Sequence, residues 1–282
     1  MTTYFTCPSI RSFAFLLSSQ NEVSLVNKWC NSLSFISAAT VAFCLYAQGA
    51  PAAGHLTAEQ VKSKVVAAAG HADLSGMDMQ GDDLTGLDMS GANLAGANLA
   101  GANLHGVKLV GADLTGADLT KADLTETWIM KAKFDHARMH GATLQVVITS
   151  VGMDNTPATA ASFAGADLSD TSATVHFSYD DLRGADFRGT RQSVVVANQS
   201  MGLLRSEYKE ANLQGANFTN AGLGRITFEF AKLNGAIFKG ADLTRADFTG
   251  ADLTGADFTG ATTQHAVFDQ ATMTGVKGLT SK

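Results

Sequence analysis

Large apolar residues recur at every fifth position along most of this chain. In residues 240–260, "GADLTRADFTGADLTGADFTG", they are Leu243, Phe248, Leu253 and Phe258. From Leu74 to Leu144 in steps of five, every position is Leu, Met, Ile or Phe. The position two earlier is most often Ala, as in "GANLAGANLAGANL" (91–104). A spacing of five fits neither the 3.6 residues per turn of an α-helix nor the period of two of a strand.

An extended chain points residues i and i−2 to one face and i−1 and i+1 to the other. Alternation alone would put the next large residue on the wrong face, so each pentad must contain a corner that restores the inward direction. Glycine at i+2, as at Gly91, Gly96, Gly101 and Gly111, suits that corner because it adopts tight-turn dihedrals without a steric penalty. Identical corners wind the chain into a closed coil. Leu or Phe fills its interior, Ala packs beside it, and Asp, Asn, Thr or Lys at i−1 and i+1 face water. The expected structural core includes Leu74, Leu94, Leu114, Phe134, Leu213, Phe218, Phe228, Phe238, Phe248 and Phe258. Burying each such residue contributes roughly 1.5–3 kcal/mol.

The units "ANLAG" (92–96), "ADLTG" (112–116 and 251–255) and "ADFTG" (246–250) follow the pattern A-(D/N)-(L/F)-x-G, and the chain resembles the pentapeptide-repeat family. The resemblance spans most of residues 72–275. It implies an all-β solenoid, a right-handed quadrilateral β-helix with four pentads per coil. Residues twenty apart then stack at the ~4.8 Å spacing of adjacent strands, and about ten coils would make a rod on the order of 50 Å long. Between Leu213 and Phe258 the centres alternate Leu and Phe, so Phe218, Phe238 and Phe258 are expected to stack on one face and Phe228, Phe248 and Phe268 on the opposite one.

The register slips three times. Leu144 to Phe163 is one residue short of four pentads, Leu168 to Phe177 is one short of two, and Phe187 to Tyr208 is one longer than four. The deviations lie in "VVITSVGMDNTPATAA" (146–161) and "TRQSVVVANQSMGLL" (190–204), read either as bulges or loops between two regular ramps or as recognition loops on a rigid scaffold. Before the repeats, "HLTAEQVKSKVVAAAGH" (55–71) predicts a capping helix. Thr57 is the expected N-cap with Gln60 at N3, Leu56 staples onto Val61, Val65 extends the apolar stripe, and Gly70 ends the helix. The expected organisation is a signal peptide or membrane anchor (1–49), linker and capping helix (50–71), a first regular ramp (72–146), irregular repeats with loops (147–206), a second regular ramp (207–275) and a tail (276–282).

Twenty-eight glycines and only three prolines in 282 residues reflect the repeat. A net charge of −6 provides no global field toward nucleic acid or anionic lipid. Lys28 precedes "LSFISAATVAFCLYA" (33–47), an uncharged apolar run followed by small residues, with Ala47-Gln48-Gly49 and Ala50-Pro51-Ala52 suited to a signal peptidase. An uncleaved anchor and an organelle transit peptide are the alternatives. Phe43 rules out a lipobox leading into Cys44, and the length of the amino-terminal region leaves room for a start downstream of Met1, at Val23 or Val26. All three cysteines, Cys7, Cys30 and Cys44, precede residue 50, so a cleaved product has no thiol chemistry. The expected location is the periplasm or the exterior, with membrane attachment only if the segment is retained.

His136 and His140 are four apart in "FDHARMH", but they fall at i+2 and i+1 of successive pentads, which aims them from different parts of the coil; His105 and His265 are isolated. There is no strand-to-helix glycine loop, no G-x-S-x-G and no HExxH. The aspartates occupy regular outward positions suited to solvation. No catalytic residue, cofactor or metal is therefore assigned. The family resemblance also implies a DNA-mimic alternative, in which an acidic rod occupies the DNA groove of a type II topoisomerase such as gyrase. The outward columns Asp73, Asn93, Asp113, Lys133 and Asp78, Asn98, Asp118, Arg138, with Asn212, Lys232, Asp252, Thr272, interrupt such a stripe. The leading reading is a non-enzymatic exported scaffold that binds an unknown protein partner, not nucleic acid, through its faces and central loops. The last coil lacks a cap, and Phe268, Met273, Val276 and Leu279 are the expected contact of a tail-to-tail homodimer.

Overall fold

Every fifth side chain turns inward because every pentad bends at the same place. The computed structural model describes residues 56–68, 71–149, 156–192 and 206–279. The chain divides into two compact units, Met1–Ala53 and Gly54–Lys282, and all described residues belong to the second. The segment read as an export signal, with its three cysteines, lies outside the described residues, as do Gly70, residues 150–155 of the first irregular stretch and residues 193–204 of the second. Among the described residues no helix is long and apolar enough to cross a membrane.

The second unit is a solenoid of parallel β-bridges. Asp73 pairs with Asn93, Asn93 with Asp113 and Asp113 with Lys133, each twenty residues on, and the other three sides of the coil repeat the step. Each pentad adds three bonds to the ladder. The N–H groups of the centre and of the i+2 corner reach forward to the next coil, as in Leu94 to the Asp113 carbonyl (2.7 Å) and Gly96 to the Thr115 carbonyl (2.9 Å), while the i−1 N–H reaches back, as in Asn93 to Ala72 (2.9 Å). A fourth bond closes the corner, from Ala97 N–H to the Leu94 carbonyl at 3.0 Å.

The corner residue takes the left-handed conformation whether or not it is glycine. Lys121 (φ 58°), Glu126 (58°), His136 (57°), Asn220 (57°) and Phe230 (56°) all occupy it. A non-glycine there costs roughly 1–2 kcal/mol. Its side chain also leans over the corner of the following coil: the Phe230 ring lies where a Cβ at Gly250 would come within 2.5 Å of it. Gly250 is thus required twice, by its own φ of 67° and by its neighbour.

Leu74, Leu94, Leu114, Phe134, Leu213, Phe218, Phe228, Phe238, Phe248 and Phe258 are all fully buried. From Phe187 onward two opposite sides form an aromatic zipper. Rings stack along each column, Phe218–Phe238 at 5.0 Å and Phe228–Phe248 at 5.0 Å, and meet edge-to-face across the coil, Phe228–Phe238 at 5.9 Å and Phe238–Phe248 at 5.7 Å. Both geometries are favourable for the aromatic quadrupole.

Helix α1, Ala58–Ala67, covers the first coil with Val61 and Val65. Its capping box joins Thr57 and Gln60 in both directions, and Leu56 N–H bonds the Asp78 carbonyl at 3.0 Å. The helix ends at Ala68, whose N–H bonds the carbonyls of Lys64 and Val66, and not at Gly70.

Bridge pairings correct two of the three apparent slips. Lys133 pairs with Ser162 and Arg138 with Asp167, twenty-nine residues on, so the coil gains nine residues between Ile148 and Ser162. His176 pairs with Glu207 and Arg191 with Gly222, thirty-one residues on, so eleven enter between Arg191 and Glu207. A shift of one residue over several pentads was the remainder of these larger insertions. The middle slip is a true deletion. Strand β1 (Thr143–Val147) pairs with β2 (Ser172–Val175), and Val146, left-handed and 42% exposed, has no counterpart in β2.

The core is polar where the repeat is broken. One inward i−2 column reads Ala72, Ala92, Ala112, Ala132, Ala161, Asp180, Ala211, Ala231 and Ala251. In regular coils the alanine N–H closes the corner, but at Ala161 the nine-residue insertion has removed the carbonyl it would meet. The fully buried Asp180 supplies the replacement, accepting from Ala161 N–H at 2.8 Å. Its other oxygen has no partner, and neither has Oδ1 of Asn212, whose N–H bonds the Asp180 carbonyl at 2.9 Å. Burial, opposed by the Ala161 N–H, pushes the Asp180 carboxyl well above the usual range. Ser206 performs a similar repair beside the deletion, its Oγ accepting from Val175 N–H at 3.1 Å. Tyr208 and Gln192, both core centres beside the second insertion, are joined by a hydrogen bond from Gln192 Nε2 to the Tyr208 hydroxyl, while Gln192 Oε1 has no partner.

Phe238→Ala should destabilise by about 3–5 kcal/mol, because the zipper leaves no neighbour free to fill the cavity; Phe230→Ala at the exposed corner should shift stability by only about 0.5 kcal/mol. Urea-unfolding midpoints compare the two. Asp180→Asn keeps the acceptor for Ala161 and removes the buried ionisable group. The raised folded-state value means that wild-type stability is full below the unfolded carboxyl range near ~3.9 and declines as pH rises toward the folded value. The Asn variant should therefore exceed wild type in stability at neutral pH, with its advantage disappearing in acid; melting curves from acid to neutral pH measure it.

Candidate interaction surfaces

Outward residues follow from the same pentad. The aspartate at i−1 accepts from the backbone N–H two residues on and often from the hydroxyl there: Asp257 Oδ1 receives Thr259 N–H at 2.9 Å and its hydroxyl at 2.5 Å. Thr254 with Asp252, Thr249 with Asp247 and Thr125 with Asp123 repeat the arrangement. This Asx turn is the physical reason for the D-L-T and D-F-T triplets. The hydroxyl and N–H bonds hold Asp257 down at about 2, with Lys239 adding to the effect. Similar bonds from Ser75, Thr85 and Thr115 lower Asp73, Asp83 and Asp113. Carboxylates held ionised in this way are unsuited to general acid catalysis.

Many are also bridged along the rod. Asn93 and Asn98 donate to Asp73 and Asp78 at 3.1 and 2.9 Å. Arg138 reaches Asp118 at 2.9 Å, Lys239 reaches Asp257 at 3.3 Å, and Lys108 reaches Asp88 at 3.5 Å. These exposed pairs contribute little stability. They do interrupt the acidic columns, so the second face carries alternating charge and amide groups.

The histidines do not converge. His136 is a left-handed corner whose ring lies over Gly165. His140 Nδ1 lies 3.0 Å from Ser169 Oγ and 3.8 Å from Asp170, while the Ser169 hydroxyl donates to Asp167 at 2.5 Å. Serine and Asp170 both address one ring nitrogen, so His140 cannot pass a proton between them as a triad base does. His105 faces Glu126 at 3.8 Å, and His265 is another left-handed corner. Among the described residues no group of His, Cys, Asp or Glu could hold a metal ion.

Three surface features escape the fivefold reading. Outward positions on one side hold Val110, Trp128 and Ile148 where other coils carry polar residues, with exposed Val146 at the adjoining corner. Phe230 is 52% exposed. In the pentad Ala221–Arg225 both outward positions are glycine, Gly222 and Gly224. The signal was present in each case as a departure from the consensus at i−1, i+1 or i+2.

At the carboxy-terminal end, Phe268 and Val276 are partly buried, Leu279 packs against the core, and Met273 is 38% exposed. The forward-pointing N–H groups of Phe268, Gln270, Met273 and Gly275 have no partner among the described residues.

The family profile of pentapeptide repeats matches residues 69–99, 97–135, 108–145, 211–250, 222–260 and 251–277, with eight copies of the unit. No curated protein sequence matches the chain. Among solved structures, HetL, a pentapeptide repeat protein involved in heterocyst differentiation regulation in the cyanobacterium Nostoc sp. Strain PCC 7120, is 26% identical; the match covers 79% of this chain and 97% of HetL, with a TM-score of 0.42. A pentapeptide repeat protein of the Arabidopsis thaliana thylakoid lumen is 24% identical over 53% of this chain and 66% of its own, with a TM-score of 0.21. Full-length QnrB1, a plasmid-mediated fluoroquinolone resistance protein, is 20% identical over 71% of this chain and 90% of its own, with a TM-score of 0.29. With the repeat profile matching more than half of its residues, and with each matched pentad occupying one side of a twenty-residue coil, the chain belongs to the pentapeptide-repeat family.

Proposed function

We propose that this protein is a non-enzymatic interaction scaffold, exported from the cytoplasm, whose coil is the right-handed quadrilateral β-helix of its family. The observation that carries the reading is the state of the outward aspartates. Those at i−1 are held by a backbone N–H two residues on, and many are bridged by Asn, Lys or Arg of an adjacent coil. Side chains engaged in this way present a rigid, flat face and leave few groups for chemistry. Recognition then rests on shape and on the departures from the repeat. The same bridging favours a protein partner over mimicry of DNA, because a phosphate-like array needs carboxylates that are unopposed along the rod. The apolar, charge-free run at 33–47 and the small residues after it support export.

The carboxy-terminal coil supports a homodimer through Phe268, Met273, Val276 and Leu279. Apolar side chains and N–H groups without a partner among the described residues lie together there, whereas the amino-terminal coil is covered by α1.

Expression from Met1 in a bacterial host should yield a product cut near Gly49 or Ala52 and recovered outside the cytoplasm, as read by intact mass and fractionation. An uncut cytoplasmic product would overturn export, and inhibition of gyrase supercoiling by it would replace the scaffold reading. Light scattering at micromolar concentration should give twice the chain mass, and Met273→Lys should return the monomer; a monomeric wild type sinks the dimer.

A further inference from the structure

The pentad "AGLGR" (221–225) carries glycine at both outward positions, and Gly222 and Gly224 are the only outward glycines among the described residues. Neither has positive φ. Crowding does not call for glycine either: a Cβ on Gly222 would stay 3.8 Å from the Thr190 carbonyl, and one on Gly224 3.7 Å from the Thr244 carbonyl. Glycine weakens an extended segment, and the equivalent positions one coil on are Asp242 and Thr244. The backbone does not need these glycines, and their effect is to leave a bare patch of main chain on the rod's surface.

Exposed arginines surround that patch. Arg191 pairs with Gly222 from the preceding coil, Arg225 is the corner of the same pentad, and Arg245 is the corner twenty residues later. None of the three has an ion-pair partner among the described residues, in contrast to Arg138, Arg183 and Arg188. Arg225 and Arg245 are both left-handed, at φ 65° and 60°, so strain and like-charge stacking coincide at one edge. The nearby carboxylate, Asp242, has Oδ1 engaged by Thr244 N–H at 3.0 Å, while Oδ2 borders Gly224.

We propose that this notch docks an extended, carboxylate-rich peptide segment of a partner protein. Its acidic side chains would meet the three guanidinium groups, whose planar forks match carboxylates. Its backbone would lie against the bare glycines, and one of its amide N–H groups would satisfy Asp242 Oδ2. A chain carrying only anionic groups has no donor for that oxygen, which is why a peptide is the favoured ligand. Carboxylates on one edge of a strand recur every ~6.6 Å, against ~4.8 Å between successive coils, a mismatch within the reach of arginine side chains. The assignment deepens the scaffold reading and rests on it.

The test is fluorescence anisotropy of a labelled peptide alternating Glu and Thr, titrated with the full-length protein at low salt. Saturable binding is expected, at least roughly tenfold weaker in Arg225→Glu/Arg245→Glu, with little binding of a Lys-Thr peptide. Gly224→Thr retains every charge and copies Thr244 of the next coil; it should weaken binding several-fold with an unchanged circular dichroism melt. No binding by wild type overturns the proposal. So does equal affinity in Gly224→Thr, or linear polyphosphate binding as tightly as the peptide, either of which reduces the patch to general charge attraction. Export without peptide binding would remove this site and leave the scaffold reading standing, whereas peptide binding by an uncut cytoplasmic protein would keep the site and overturn only the export.

Discussion

The left-handed corner is the constraint on which everything else depends. One residue in five must take positive φ, and this happens at Gly96 and Gly250 and equally at Lys121, Arg225 and Phe230. If one corner opened, every later side chain would change face, because a single-residue shift in an extended chain exchanges inside for outside. Glycine makes the corner inexpensive, but glycine alone does not hold it. The bond from the i+3 N–H to the centre carbonyl closes it, and the forward bonds of the centre and corner N–H groups fix it to the next coil. Short-range turn and long-range ladder use the same backbone groups and reinforce one another, which is how fourteen non-glycine corners are tolerated among the described residues.

That interdependence explains what happens where the repeat is interrupted. An insertion or a deletion at a corner removes one acceptor from the network, and a buried N–H without a partner costs about 1–3 kcal/mol. Here side chains from the neighbouring coil take over, Asp180 for Ala161 and Ser206 for Val175. The first repair brings a carboxyl into a column otherwise made of alanine, and one oxygen of Asp180 remains unsatisfied. The central coils are therefore built with less margin than the ramps on either side. Stability in a solenoid is set by each repeat and its interfaces with its neighbours, so opening of the rod should begin there.

The fivefold pattern was enough to read the coil, the inward columns and the aromatic stacks, because each depends on residues whose spacing survives along the sequence. The length of the insertions was not legible. Counting from Leu144 to Phe163 gives a one-residue discrepancy, whereas the bridges place Thr149 as a further core position and leave nine extra residues before Ser162. Periodicity reports position modulo five, and a loop longer than one pentad vanishes into the remainder. Asp180 was hidden for a related reason: its role is defined by the missing carbonyl of a residue on another coil, to which local sequence gives no pointer. The capping box at Thr57 and Gln60 was legible because both halves lie within four residues.

The same logic bears on function. In a repeat this regular, a consensus residue carries information about the fold and very little about a partner. Thr254 beside Asp252 is explained entirely by its Asx turn. A residue that the fold does not require is the informative one. Phe230 meets the corner's dihedral at a steric penalty and leaves its ring in water; Trp128 and Ile148 face outward where Asp and Lys stand in neighbouring coils. Gly222 and Gly224 are the converse, glycines in backbone that any residue could adopt. Each departure makes the rod slightly worse as a rod, through strain, exposed apolar area or a weakened strand. Residues held against the preference of the scaffold are where selection for recognition would act, and for this rod they lie on particular edges and not along the repeat as a whole.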